Sequence, residues 1–129
     1  MAAARAGGAL RWSIPPAFGG DGLSRVAQLQ ATERLAAACL TTAFVLSQRE
    51  AAVRWLLDPA RPVGGRYLPG LARGDLFATV GLSQLTTSRQ HRPPSLVATP
   101  VGPPDSPHAY RLDGEVPWVL TAILTPATI

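Results

Sequence analysis

Residues Gly74-Asp-Leu-Phe-Ala-Thr-Val-Gly-Leu-Ser-Gln84 decide how this chain is read. The run is short and apolar, and Gly and Asp bound it. A polar loop follows, then Ser95-Leu-Val-Ala-Thr99, a Pro-rich loop over 100–107, and Tyr110-Arg-Leu-Asp-Gly-Glu-Val-Pro-Trp-Val119. Apolar runs that alternate with Gly, Pro and Asp predict short strands joined by turns. Leu76 to Leu82 is expected as a buried strand. Asp113-Gly114, between Tyr110-Leu112 and Val116-Trp118-Val119, is expected as a hairpin turn. Everything upstream is helical in pattern. The expected fold class is therefore α+β, with an N-terminal helical segment followed by a small, incomplete antiparallel β domain. The boundary falls near Gly74, which separates 1–73 from 74–129.

Ser24 is the expected N-cap of a helix running to about Ala38, with Val26, Leu29 and Ala36 on one face. A second helix spans roughly Leu40 to Leu57. Leu40, Phe44, Ala51 and Trp55 form its apolar stripe, and Glu50 to Arg54 is a favourable i,i+4 pair. Asp58-Pro59 ends it, because proline disfavours a helical residue before it. Arg66 to Gly74 suits a short helical turn closed by the glycine. Between Trp12 and Leu23, prolines and glycines accompany Trp12, Ile14 and Phe18, which predicts a loop packed on a core. Residues 1–12 read as a weakly ordered start. A sheet of about four short strands has exposed edges and little stability of its own. No closing element follows the apolar tail Ile123 to Ile129, so the β domain reads as unfinished.

Composition narrows the function classes. The 129 residues suit one ordinary domain, and the charged fraction of 16% is low for a globular chain. No segment reaches the roughly 18 apolar residues of a membrane span. No apolar stretch follows Met1 to Gly8, so no secretory signal is expected. The single cysteine, Cys39, excludes an internal disulfide and sits among alanines, where a buried core position is expected. Together these features lead to the expectation of a cytoplasmic protein. The net charge of +4 comes from twelve arginines and no lysine. They are scattered along the chain, which argues against a nucleic-acid reader. One Cys and two His are too few for a metal cluster. His91 and His108 lie in Pro-rich polar loops. No Gly-x-Gly-x-x-Gly opens a helix, and no two carboxylates read as a catalytic pair.

Five segments, in order, carry a resemblance. They are Ile14-Pro-Pro-Ala-Phe-Gly-Gly-Asp-Gly-Leu-Ser24, Glu33-Arg-Leu-Ala-Ala-Ala-Cys39, Thr42-Ala-Phe44, Arg66-Tyr-Leu-Pro-Gly-Leu-Ala-Arg-Gly-Asp75 and Tyr110 to Val119. In this order the chain resembles the N-terminal part of the acyl-CoA dehydrogenases, from about Trp12 to Val119. The resemblance implies an N-terminal helical domain (1–73) followed by part of the flavin-facing middle β domain (74–129). It implies FAD as cofactor and α,β-dehydrogenation of an acyl-CoA thioester, an oxidoreductase reaction of fatty acid metabolism. An electron-transfer flavoprotein would be the redox partner, and the full-length enzyme a homo-oligomer. Carried over by position, the cofactor-binding residues are Val80, Leu82, Ser83, Ser88, Arg89, Trp118 and Val119. The family's catalytic base belongs to a C-terminal helical domain, so no catalytic residue is expected here, and the chain alone is expected to be inactive.

The sequence also departs from the family's pattern. Gln84 stands where Glu is usual, Thr87-Ser88-Arg89-Gln90 replaces Ala-Gly-Ser-Asp, and Val116 takes the place of Lys. Two other readings remain open: a non-catalytic helical interaction module, and a relative among the acyl-CoA oxidases or flavin monooxygenases that share the scaffold.

Overall fold

In the computed structural model the described residues are 2–60, 62–81, 95–102, 109–116 and 119. They form four helices followed by one antiparallel pair of strands. The chain divides into two units, one built on Met1–Val80 and one on Gly81–Ala122.

In the first unit, α1 (Ala2–Ala6) opens the chain, α2 covers Arg25–Ala38, α3 covers Leu40–Leu56 and α4 covers Gly64–Arg73. Ser24 caps α2 as its chemistry predicts: the residue is extended, and its hydroxyl accepts from the Ala27 N–H at 3.3 Å. A single extended residue, Cys39, separates α2 from α3. Its N–H still donates to Leu35 O, and its carbonyl already accepts from Ala43 N–H. Gly74 closes α4 with φ of 75°, and its N–H donates to the Leu71 carbonyl. The element ahead of it is a full ten-residue helix rather than a single turn.

Two apolar clusters hold these elements together. Ile14, Val53, Leu68, Leu71 and Ala72 make one, with Phe18, Leu56, Leu57 and Ala78 packed against it. Ala4, Ala9, Leu10 and Leu46 make the other, with Trp12, Leu35 and Phe77 alongside. The loop residues Trp12, Ile14 and Phe18 pack as expected, and Gly20 explains how tightly. A Cβ at Gly20 would collide with the backbone carbonyl of Ile14, so only glycine lets the loop fold back here.

Residues 1–12 differ from the sequence expectation. The start is ordered, because Ala4, Ala9 and Leu10 are buried in the second cluster. Small side chains carried that signal weakly. The stripe expected on α3 also differs: the buried residues are Ala43, Leu46, Arg49, Ala52 and Val53. Leu40 and Phe44 are 73% and 53% exposed, and on α2 Val26 and Leu29 are 66% and 70% exposed. The core takes the helix face that carries Arg49 because that arginine ties the unit together. Its side chain is fully buried, and its Nη2 donates to Leu10 O at 2.6 Å and Leu71 O at 3.1 Å. Its Nη1 pairs with Glu50 Oε1 at 2.9 Å. Burial pulls the Arg49 pKa below its ordinary value, and the Glu50 charge works against that pull. One cation thus joins the start of the chain, α3 and α4.

Leu76 to Gly81 form no strand. Phe77 points to one cluster and Ala78 to the other, as successive side chains of an extended chain must. Packing holds this segment, and no described neighbour supplies a ladder.

The second unit contains β1 (Leu96–Val101) and β2 (Ala109–Gly114), paired antiparallel with Leu96 opposite Gly114 and Val101 opposite Ala109. The hairpin therefore closes through the loop that follows β1, not across Asp113-Gly114. Gly114 has φ of 122° and ends the ladder, and Glu115 N–H donates to Ser95 O at 2.8 Å. A side chain at Gly114 would strike the Ser95 carbonyl. The glycine thus serves close strand approach instead of a turn.

Candidate functional site

The residues carried over for flavin fall unevenly on the structure. Leu82, Ser83, Ser88, Arg89 and Trp118 lie outside the described residues, as do His91 and His108. Val80 is half-buried at the end of the extended segment Leu76 to Gly81. Just before it, the Thr79 hydroxyl is buried without a hydrogen-bond partner. An unpaired buried hydroxyl is costly, and it marks a place where a bound group could supply the missing partner. In the second unit, Val119 is 36% exposed. It packs with Val116 over Gly81, so closely that a Cβ at Gly81 would sit 3.0 Å from Val116 Cγ1 and 3.2 Å from Val119 Cγ2. A flavin ring needs fixed polar partners at its edge, and the unpaired Thr79 hydroxyl is a polar group of that kind.

A second concave site lies between α2 and α3. It is a cleft of about 350 Å³ whose lining includes Trp12, Arg25, Thr32, Leu35, Ser47, Glu50 and Arg54. The sequence pairs Glu50 with Arg54, but Glu50 turns to Arg49 instead. Arg54 Nε donates to the Glu50 backbone carbonyl at 3.3 Å. Glu50 Oε2 is buried and has no partner. The i,i+4 spacing was the only sign of this site in the sequence. It marked the right two residues and the wrong contact.

Cys39 is exposed, not buried, because it occupies the break between α2 and α3. Its sulfur lies 3.1 Å from Thr42 Oγ1. The Thr42 hydroxyl, and then backbone N–H groups at the start of α3, draw its pKa below the ordinary thiol value.

Among known protein families, the model for the acyl-CoA dehydrogenase N-terminal domain matches residues 1–75. Four helices preceding an antiparallel strand pair agree with that assignment in architecture. The match covers more than half of the chain, and the chain belongs to the acyl-CoA dehydrogenase family. No curated protein and no solved structure matches it. No described helix is long and apolar enough to cross a membrane.

Proposed function

We propose that this chain is the N-terminal helical part, residues 1–73, and the flavin-facing start of the β domain, residues 74–129, of an FAD-dependent acyl-CoA dehydrogenase. The family match over residues 1–75 carries this reading. The unpaired Thr79 hydroxyl next to half-buried Val80 supports it, since both lie in the segment that leads to the proposed cofactor residues. Val80, Leu82, Ser83, Ser88, Arg89, Trp118 and Val119 would hold the cofactor. Bound FAD supplies the hydride acceptor for oxidation of an acyl-CoA thioester between its α and β carbons. In this reading the chain's own residues shield the ring edge from water and fix its polar partners. Asp21, Glu50, Asp75 and Asp113 are each held by an arginine. None is poised as an α-proton base, and the proposed base is contributed from outside these residues.

Titration of the purified chain with FAD tests the reading. Saturable quenching of flavin fluorescence, weakened by Ser83→Ala, is the expected result. Acyl-CoA with an artificial electron acceptor should give no turnover with this chain alone.

The interaction-module reading rests on one observation: Val26, Leu29, Leu40 and Phe44 leave apolar surface uncovered on α2 and α3. A defined oligomer by light scattering, together with no flavin binding, would favour it.

A further inference from the structure

The cleft between α2 and α3 is chemically lopsided. Arg25 opens α2 and Arg54 stands near the end of α3, so both line the cleft away from the break at Cys39 that joins the helices. Both arginines are exposed to solvent. Arg54 spends only Nε, on the Glu50 backbone carbonyl, and neither arginine forms an ion pair with a carboxylate among the described residues. Glu50, the acid in the lining, is taken by buried Arg49 and does not offset them. The neutral polar groups are committed too: Gln28, Thr32 and Ser47 each donate to a backbone carbonyl. Towards Cys39 the lining is apolar, with Leu35 on α2 and Leu46 on α3, and Trp12 adds an aromatic side chain. At the helical rise, Leu46 lies about 12 Å along α3 from Arg54, and Leu35 about 15 Å along α2 from Arg25.

We propose that this cleft binds a small carboxylate with an elongated apolar body, of the class of an arylalkyl acid. Its carboxylate meets Arg54 and Arg25, whose guanidinium groups suit a planar acceptor with two oxygens. Its apolar body runs towards Leu35 and Leu46, alongside Trp12. An alcohol of the same shape gains the apolar contact without the charge, and an amine brings a third cation to two arginines. A compact acid such as acetate meets the arginines but leaves the apolar end of the cleft wet. The cleft volume of about 350 Å³ accommodates one aromatic ring with a short chain. The site uses none of the residues proposed to hold the flavin.

The test uses the whole chain and three probes of one shape: 5-phenylpentanoate, 5-phenylpentan-1-ol and 5-phenylpentylamine. Binding is followed by amide chemical shifts across the helical unit. The acid should shift residues of the α2–α3 cleft saturably, and the alcohol and the amine should each bind at least about tenfold more weakly. Arg25→Gln, at an exposed position, should weaken the acid about fivefold and leave the alcohol unchanged, with the helical circular dichroism intact. The ligand series needs no variant, so a folding defect cannot obscure it. Equal or tighter binding of the alcohol or the amine would overturn the proposal. So would saturable shifts confined to residues outside the cleft, or none at all with the acid.

Discussion

The helical unit and the strand pair solve the same problem to different extents. Residues 2–80 bury two apolar clusters and pin them with one cation. In β1 and β2 no residue is buried, and Val97, Val101, Tyr110 and Leu112 are all exposed. Backbone pairing alone gives a two-stranded ribbon little stability in water. The contrast says which part of this sequence carries its own fold and which part presents surface for something else to cover. Even in the helical unit, coverage is uneven. α3 buries five residues and α2 none.

The comparison breaks most visibly at Arg49. Arg49→Met keeps much of the volume but strands the carbonyls of Leu10 and Leu71 and the Glu50 carboxylate. About 3 kcal/mol of stability should be lost, read from chemical denaturation of the helical signal. Gly20→Ala forces a Cβ onto the Ile14 carbonyl, and a loss of about 2 kcal/mol is expected in the same measurement. Amide hydrogen exchange sharpens the contrast itself. The amides of Val53 and Leu71 should be protected, and those of β1 and β2 should exchange nearly as fast as in an unfolded chain. Slow exchange in the strand pair would show that it has cover this account does not give it.

The smallest effect concerns Cys39. A hydroxyl donating to sulfur favours the thiolate, so the thiol ionises at lower pH than a free cysteine. Alkylation should then be faster than for an unperturbed thiol below the ordinary thiol pKa, and the difference should vanish well above it. Thr42→Val should move the alkylation profile towards higher pH by removing the largest contribution.

Helix positions were legible because caps and breakers are local chemistry: Ser24, Asp58-Pro59 and Gly74 mark ends whatever the rest of the chain does. The burial pattern was less so. Leu40, Phe44 and Trp55 look like a core stripe, yet the core forms on the face that holds Arg49. The two distant carbonyls that Arg49 reaches, at Leu10 and Leu71, leave no signature in its own neighbourhood. Asp113-Gly114 misled for a related reason. Its glycine permits a tight turn but also permits close strand approach, and the partner at Ser95 and Leu96 is remote in sequence. Leu76 to Gly81 has strand-like composition but packs between two clusters, so its apolar character is real and its strand pairing is not. Of the proposed cofactor residues, the sequence alone supplied no direct sign. They came from family resemblance, and only Val80 and Val119 fall among described residues.

The central claim is that the segment from Val80 to Arg89, with Trp118 and Val119, faces a flavin. Photolabelling with an azido derivative of FAD, followed by peptide mapping, tests it most directly. The account predicts label on peptides covering 80–89 and 118–119, displaced by excess FAD. Displaceable label confined to the helices, or no displaceable label at all, would contradict it.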